Sequence, residues 1–498
     1  KLGYDVVLVN SNPATIMTDP EMADVTYIEP LNVETLKEII EKERPDAILP
    51  NLGGQTGLNL SSELYRKGIL DAFNVKVIGV NVDAIERGED RIAFKETMNR
   101  LGIEMPRSSP AYTVEEAEGI AEELGYPVVV RPAYTLGGTG GGLVYNREEL
   151  QVVASRGISA SMIGQILIEE SVLGWEELEL EVVRDAKNQM ITVCFIENVD
   201  PMGIHTGDSY CTAPMLTISE ELQERLQKHS YDIVEAIQVI GGTNVQFAHD
   251  PDTGRVVVIE INPRTSRSSA LASKATGFPI AMISAMLAAG LTLDEIPYWK
   301  EGTLEKYRPS GDYVVVKFAR WAFEKFPGSE DVLGTQMRAV GEVMSIGKTY
   351  KEAFQKAVRS LEINRYGLGF AKDFHQKTAE ELLKLLGRPS SERQFILYEA
   401  LRKGVPVEEL YQRTRIKRWF LEQMKELVDL EEEILRFKGK PLPDDLLIRA
   451  KKDGFSDRYL AGLTGTRERD IRKRRAALGV VHCWEPVPVS GVEDAAYY

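Results

Sequence analysis

The segment TNVQFAHDPDTGRVVVIEINPRTSRSS, residues 243–269, contains two apolar runs on either side of a short polar turn. The turn, DPDTG at residues 250–254, has the composition of a β-hairpin connection. Folding the chain back about residues 252–253 places Gln246 opposite Glu260. The segment therefore predicts an antiparallel hairpin, and the rest of the chain is interpreted around it.

Polar side chains collect at the end of the second strand of this hairpin. Glu260 and Asn262 are two residues apart, so they share one face of the strand. Their oxygens suit a Mg²⁺ ion that also holds phosphate oxygens, and Arg264 and Arg267 follow directly for an anionic substrate. A buried glutamate in a Val/Ile-rich strand needs a compensating charge, so a structural Glu–Arg ion pair is the alternative interpretation.

A second informative segment is PVVVRPAYTLGGTGGGLVYN, residues 127–146, in which five glycines follow a strand that ends at Arg131. Glycine lets backbone N–H groups close on an anion, so a strand–loop–strand unit can cover phosphates as a flap. The loop matches neither the P-loop pattern nor G-x-G-x-x-G, because a strand rather than a helix follows it. A phosphate-binding flap and a plain flexible hairpin both remain open.

Composition and charge restrict the class of protein. The 498 residues are enough for about three domains. The 60 basic and 76 acidic residues give a net charge of −16, which argues against nucleic acid or an anionic membrane as the main partner. Three widely spaced cysteines, Cys194, Cys211 and Cys483, predict a reducing cytoplasm and no zinc site.

The chain divides into four parts by pattern. Residues 1–90 alternate Val/Ile strands with amphipathic helices, which predicts a parallel sheet covered by helices. Residues 91–300 contain both segments quoted above, and residues 301–375 predict a compact α/β piece that completes this unit. Residues 376–498 read as nearly all helical.

The helical part carries more apolar surface than a lone tail should expose, which predicts a role in assembly. The residues concerned are Phe395, Leu397, Trp419, Phe420 and Met424.

Taken together, the motifs resemble ATP-grasp enzymes and, more closely, the amino-terminal half of the carbamoyl phosphate synthase large chain family. VIEINPR alone would indicate ATP-grasp ligases broadly, whereas NSNPATIMTDPE, GIHTGDS and SRSSALASKATG are much more specific. The resemblance covers essentially residues 1–375 and continues more loosely through the helical part, which is similar to the family's oligomerization domain. It implies an α/β fold made of a pre-ATP-grasp domain and an ATP-grasp domain, followed by an all-helical domain.

The resemblance implies that ATP phosphorylates bicarbonate to carboxyphosphate, which ammonia converts to carbamate during carbamoyl phosphate synthesis for arginine and pyrimidines. His205 is ambiguous, because it could contact the nucleotide or the reacting phosphate, and a purely structural histidine remains open. The positions implied for ATP are Arg91, Arg131, Gly137, Gly138, Glu170, Val172, Glu177, Gly203, Ile204, His205, Gln246 and Glu260. Those implied for the metal are Gln246, Glu260 and Asn262, and those implied for the chemistry are Arg264, Arg267 and His205.

The implied cofactors are ATP with Mg²⁺ or Mn²⁺, together with K⁺. The implied partners are bicarbonate, ammonia, a glutaminase small subunit and a second synthetase half, with oligomer formation through the helical domain. The family's first strand and Gly-rich turn, its second half and its carboxy-terminal regulatory domain are not found in the sequence. We therefore expect a fragment with an incomplete first sheet, and the tail after Cys483 also departs from the family pattern.

Two alternatives compete with this interpretation. A biotin-carboxylase-like ligase would also use ATP and bicarbonate but would need a biotin carrier. A non-catalytic scaffold could keep nucleotide for structure alone, although the presence of Arg131, Glu260, Asn262 and Arg264 argues against it.

Overall fold

The amino-terminal part of the computed structural model alternates short parallel strands with helices. The structure describes residues 2–132, 140–161, 163–300, 302–326, 328–492 and 494–497. Strand β1 pairs with β2 and β3 pairs with β4, both in parallel, so the expected sheet is divided into two two-stranded sheets. The elements, numbered in chain order, are β1 Val7–Asn10, β2 Val25–Ile28, α1 Val33–Glu43, β3 Ala47–Ile48, α2 Gly54–Arg66, α3 Ile69–Ala72, β4 Lys76–Val77 and α4 Val82–Glu89.

A four-stranded antiparallel sheet follows, in the order β5-β8-β6-β7. Helix α6 begins after Thr113, whose side chain accepts a hydrogen bond from the Glu116 N–H as its N-cap. Strands β6 and β7, on either side of the glycine-rich loop, pair with Val128 opposite Val144. Gly137 and Gly138 lie outside the described residues, so the flap remains a prediction. The elements are α5 Arg91–Leu101, β5 Ser108–Ala111, α6 Val114–Leu124, β6 Val128–Pro132, β7 Gly142–Val144, α7 Arg147–Ala160 and β8 Ile166–Glu170.

The largest sheet has seven antiparallel strands in the order β13-β12-β9-β10-β11-β14-β15. Its strands are rich in buried valine, isoleucine and leucine, and helices pack against them. The elements are β9 Glu176–Arg184, β10 Met190–Asn198, β11 Cys211–Ala213, α8 Glu220–Ile237, β12 Gly241–His249, β13 Val256–Asn262, α9 Arg267–Thr276, α10 Ile280–Ala288, β14 Val314–Arg320, β15 Gly341–Gly347 and α11 Tyr350–Ser360.

The hairpin predicted from residues 243–269 is confirmed as β12 and β13. Gln246 pairs with Glu260, as predicted, and Asn244 pairs with Asn262. A bulge follows Gln246, because Phe247 pairs with Val258 and one residue of β13 is left over. The register therefore places the predicted oxygen donors on neighbouring strands at one end of the hairpin.

The carboxy-terminal part is helical, as predicted, and ends in a short hairpin of β16 and β17. Its elements are α12 Ala379–Leu385, α13 Arg393–Arg402, α14 Val407–Thr414, α15 Arg418–Leu435, α16 Asp444–Lys452, α17 Asp457–Thr464, α18 Glu468–Ala477, β16 Val487–Pro488 and β17 Ala496–Tyr497.

One hydrophobic cluster joins the helical part to the large sheet. It contains Tyr210 and Phe318 from the sheet side, Tyr350 from α11, and Phe420 from α15. The Tyr350 ring lies 5.2 Å from the Phe420 ring, centroid to centroid. The helical part is therefore packed onto the sheet through a continuous core.

This packing covers the apolar side chains from which assembly was predicted. Phe395, Leu397, Phe420 and Met424 are buried, and Trp419 is partly buried against the same cluster. The apolar faces seen in the sequence are therefore covered within the chain, so they give no support to the predicted oligomer.

Among the described residues, no single helix has the length and apolar composition needed to cross a membrane. The one candidate within the described ranges is α9 and α10 taken together, and these helices are bent by 107° relative to each other.

We predict that Phe420→Ala destabilises the contact between the helical part and the sheet by about 3–5 kcal/mol, because it opens a cavity beside Tyr350. The midpoint of thermal unfolding should fall clearly. Phe326→Ala is the matched control, since Phe326 is 61% exposed and its removal should change stability by no more than about 0.5 kcal/mol. Equal midpoints for the two variants would show that the cluster does not join the two parts.

Candidate functional site

A cavity of about 280 Å³ opens where the ends of β12 and β13 meet the start of α9. It brings together six residues that the sequence analysis had selected: His205, Gln246, Glu260, Asn262, Arg264 and Arg267. The other lining residues are Glu179, Thr206, Gly207, Cys211, Asn244, Ser266, Ser268, Leu271, Lys317, Met337 and Glu342.

The metal-binding prediction rests on three oxygen donors that lie on this hairpin. Glu260 is exposed, and no arginine or lysine in the described part of the chain lies within ion-pair distance of it, so the alternative of a buried Glu–Arg pair is wrong. Asn244 Oδ1 accepts hydrogen bonds from Gln246 Nε2 at 3.1 Å and Asn262 Nδ2 at 3.4 Å. The nitrogen ends of both amide groups are therefore held by Asn244, and the oxygen of Asn262 also accepts a hydrogen bond from Arg264 at 2.9 Å.

These residues fit a Mg²⁺ or Mn²⁺ ion that takes only some of its ligands from the protein. Within the described residues no group of three or more His, Cys, Asp or Glu side chains is placed to hold a metal. The hairpin instead supplies one carboxylate and amide oxygens, and Mg²⁺ is commonly held by one or two carboxylates plus substrate phosphates. The donor set fits a metal whose remaining ligands come from a nucleotide.

Arg264 is fixed in place beside these donors. Its Nε donates to Gln55 Oε1 at 3.1 Å, and its Nη2 donates to Asn262 Oδ1 at 2.9 Å. Gln55 belongs to α2, so the amino-terminal part helps to hold the arginine. Arg267 is exposed and contacts Met337, which leaves it less constrained.

The start of α9 adds a further attraction for anions. Ser266 is its N-cap and forms a capping box with Ser269. Ser266, Arg267 and Ser268 all line the cavity. Backbone N–H groups and the helix dipole at an N-terminus favour negative charge. The cavity therefore combines two arginines and a helix N-terminus with oxygen donors for a cation.

Three glutamates lie on one buried face of β9, two residues apart. Glu179 accepts four hydrogen bonds and lines the cavity. Burial raises the pKa of Glu181 to about 8, and burial beside Glu179 raises the pKa of Glu177 well above its ordinary value. Burial therefore opposes ionisation of both carboxyl groups, and Glu177 is the one that the family resemblance implied as a nucleotide contact. The donors to Glu179 are Asn198 at 2.9 Å, Thr206 at 2.6 Å, Asn244 at 3.0 Å and Ser268 at 2.8 Å.

The loop between β10 and β11 carries His205 to the cavity. The His205 N–H donates to Gly334 O at 2.7 Å, and its Nδ1 accepts from the Gly207 N–H at 2.9 Å. Burial lowers the pKa of His205, so the ring is mainly neutral at pH 7. Gly203 has φ of +120°, and a Cβ there would lie 2.3 Å from Leu173 Cδ1, so only glycine fits.

Arg91 and Arg131, both selected as nucleotide contacts, converge on one carboxylate. Arg131 Nε lies 3.2 Å from Glu169 Oε1, and Arg91 bonds the other oxygen. Burial opposes ionisation of Glu169, yet the two guanidinium groups hold its pKa below the ordinary value. Arg91 Nη1 also donates to Ile259 O at 3.3 Å, which joins this cluster to β13 next to Glu260.

The remaining selected residues do not line the cavity. Glu170 forms ion pairs with Arg107 and Arg255. Val172 packs against the β12–β13 hairpin, and Ile204 is buried in the cluster that joins the helical part to the sheet. The selected residues that the structure leaves outside the lining are Arg91, Arg131, Glu170, Val172, Glu177, Gly203 and Ile204.

Lys317, Asn244 and Ser268 also line the cavity, although the sequence motifs did not predict them there. Lys317 is buried on β14, and its Nζ donates to Thr206 O at 2.8 Å. A single lysine inside the apolar run VVVKFA was the available signal, since a buried lysine needs a compensating partner. Asn244 was recognisable only from its pairing with Asn262 across the hairpin.

Comparison with protein families matches most of the chain to three consecutive models. The carbamoyl phosphate synthase pre-ATP-grasp domain matches residues 1–87, and the ATP-binding domain of the carbamoyl-phosphate synthase L chain matches residues 90–296. The oligomerisation domain of the large chain matches residues 342–479.

Curated relatives include the carbamoyl phosphate synthase large chain of Archaeoglobus fulgidus, 53% identical over 99% of this chain and 46% of the relative. The amino-terminal section of the large chain of Aquifex aeolicus is 50% identical over 99% of this chain and 88% of the relative. The chain therefore spans less than half the length of the Archaeoglobus protein but most of the Aquifex section.

Solved structures share the fold at low sequence identity. The biotin carboxylase of Campylobacter jejuni has a TM-score of 0.55 and 17% identity, over 79% of this chain and 88% of that one. The biotin carboxylase domain of Hydrogenobacter thermophilus 2-oxoglutarate carboxylase, in complex with MgADP and bicarbonate, has a TM-score of 0.56 and 18% identity, over 85% and 94%. These likenesses confirm the predicted ATP-grasp fold.

The curated relatives are identical to this chain at about half of its positions, over nearly its whole length. The three family models match consecutive parts of the chain, and the solved structures share its fold. The chain belongs to the carbamoyl phosphate synthase large chain family.

Proposed function

We propose that this chain uses ATP to phosphorylate bicarbonate, giving carboxyphosphate, which then reacts with ammonia to give carbamate. The observation that carries the proposal is the cavity in which Glu260, Gln246 and Asn262 lie beside Arg264 and Arg267. Phosphoryl transfer needs alignment and neutralisation of charge rather than covalent help from the protein. This arrangement supplies both.

Each group has a defined task in the proposed first step. An oxygen of bicarbonate attacks the γ-phosphorus of ATP, the bond from that phosphorus to the bridging oxygen breaks, and ADP leaves. Arg264, held by Gln55 and Asn262, orients the bicarbonate anion, with Arg267 as an exposed assistant. Mg²⁺ or Mn²⁺ held by Gln246, Glu260 and Asn262 would neutralise charge on the terminal phosphates.

The proposed second step needs a site that excludes water. Ammonia attacks the carbonyl carbon of carboxyphosphate, the bond from carbon to the phosphate oxygen breaks, and carbamate, phosphate and a proton result. Hydrolysis would waste carboxyphosphate, so closure of the site matters. The neutral ring of His205 and the loop that holds it form one wall of the cavity in this scheme.

Further proposals rest on membership of the family: the remaining ATP contacts, the partners, the assembly and the biological role. ATP binding would involve Arg91, Arg131, Glu170, Val172 and Glu177, together with the glycine-rich flap that carries Gly137 and Gly138. We propose a glutaminase small subunit as the source of ammonia, a second synthetase half as the acceptor of carbamate, and K⁺ as a further cation. Assembly through the helical part, a cytoplasmic location and roles in arginine and pyrimidine biosynthesis complete the proposal.

We also propose boundaries for the four parts of the chain. We propose a pre-ATP-grasp domain at residues 1–90, an ATP-grasp domain at 91–300, the rest of the synthetic unit at 301–375 and the helical domain at 376–498. The family models matched above agree with this order.

We predict that Glu260→Gln lowers bicarbonate-dependent ATP hydrolysis by at least about 100-fold, because the single carboxylate among the proposed metal ligands loses its charge. The assay contains no biotin carrier, which separates this activity from that of a biotin carboxylase. Glu408→Gln is the control, since Glu408 forms an exposed ion pair with Arg418 within the helical part and neither residue lines the cavity. Activity of Glu260→Gln within a few-fold of the parent chain would remove Glu260 from the metal site.

We also predict that this chain alone makes no carbamoyl phosphate. The product requires two phosphorylations, and residues 301–498 contain no second glycine-rich flap and no second E-x-N-P-R motif. Purified chain with ATP, bicarbonate and ammonia should give no sustained citrulline in the presence of ornithine and an ornithine-utilising transferase. A complete two-half synthase is the positive control, and citrulline formed at two ATP per product by this chain would contradict the prediction.

A further inference from the structure

The loop between β10 and β11, residues 199–210, leaves and rejoins the sheet at a narrow neck. The Val199 N–H donates to Tyr210 O at 2.7 Å, and the Tyr210 N–H donates to Asp200 Oδ2 at 2.9 Å. The tip of the loop carries His205, which lines the cavity. The neck is therefore one of the points that fix the position of the tip.

Arg393, the first residue of α13, reaches this neck from the helical part. Arg393 is 4% exposed and Asp200 is 1% exposed. Arg393 Nε donates to Asp200 Oδ1 at 2.8 Å, its Nη2 bonds Asp200 Oδ2, and the same Nη2 donates to Asp208 O at 3.3 Å. The guanidinium also lies 4.6 Å from the Tyr210 ring centre and 5.4 Å from that of Trp321. One guanidinium group thus contacts both sides of the neck.

The tip of the loop has separate supports that do not involve the helical part. Thr206 donates to Glu179, Lys317 donates to Thr206 O, and the Asp208 carboxylate accepts from Trp321 Nε1 at 3.0 Å. Loss of the Arg393 guanidinium group would leave the Asp200 carboxylate buried without its cation, which is strongly unfavourable. The neck would then rearrange while the other anchors remain.

We propose that Arg393 is a positioning residue through which the helical part holds the 199–210 loop, and with it His205 and Thr206, against the cavity. The bidentate hydrogen bond from Arg393 to Asp200 needs a planar guanidinium group. Lysine at this position therefore keeps the charge but not the geometry. The helical part is thus a component of the site and acts on it from behind the loop. The effect on turnover rests on the proposed function, whereas the effect on the loop does not.

The test compares Arg393→Lys and Arg393→Met with the parent chain in two assays. Hydrogen–deuterium exchange should become about tenfold faster in peptides covering residues 199–210 and stay unchanged in the β12–β13 hairpin. In bicarbonate-dependent ATP hydrolysis, kcat should fall about 100-fold for Arg393→Met and less for Arg393→Lys, while KM for ATP stays within about threefold. A purely structural defect would change exchange throughout the helical part as well.

Arg475→Met is the matched control for loss of a buried arginine. Arg475 Nε donates to Asp457 Oδ2 at 2.8 Å, and both residues belong to the helical part. This variant should leave exchange in residues 199–210 and kcat as in the parent. The inference is overturned if exchange in the loop is unchanged in both Arg393 variants, if kcat is unchanged although the loop exchanges faster, or if Arg475→Met has the same effects. Absence of bicarbonate-dependent hydrolysis in the parent chain would instead refute the proposed function, and the exchange result alone would then decide the inference.

Discussion

The site depends on one buried carboxylate that joins four separate parts of the chain. Glu179 is 1% exposed, and its two oxygens accept hydrogen bonds from four side chains. The donors lie on β10, on the 199–210 loop, on β12 and at the start of α9. A buried carboxylate is tolerated only when its hydrogen-bonding capacity is filled, so the four elements are held in one relative arrangement. The oxygen donors on the hairpin, the loop with His205 and the N-terminus of α9 all take their places from it.

Burial also decides which charges the cavity presents. The carboxyl groups of Glu177 and Glu181, on either side of Glu179 along β9, have pKa values raised by burial, which opposes their ionisation. Glu260 is exposed at the cavity mouth, where a cation can reach it. Because Arg264 and Arg267 lie on the same wall, the cavity offers cationic groups to an anion and a carboxylate to a metal within one small volume.

The helical part shows how a pattern can correctly indicate a buried face without identifying what covers it. Amphipathic spacing indicates that a face is buried, but it does not say against what. Phe395 and Phe420 are buried in one hydrophobic cluster with Tyr350 and Tyr210 of the same chain. Lys417 likewise reaches Glu176 at the start of β9, at 2.8 Å. The helical part is therefore in contact with the sheet through both apolar and charged groups.

The sequence alone determined the hairpin, the opposition of Gln246 and Glu260 and the shared face of Glu260 and Asn262, because a two-residue strand period and a turn are local properties. Only the tertiary structure decided that Lys317 lies in the cavity and that Arg393 holds a loop 193 positions earlier in the chain. Strand β14, which carries Lys317, lies between β11 and β15 in the sheet, and α13, which carries Arg393, packs behind the loop. The residues next to Lys317 and Arg393 in the sequence do not indicate either placement. Such contacts form between segments far apart in sequence, where burial and the pairing of buried charges, rather than local spacing, select the partner.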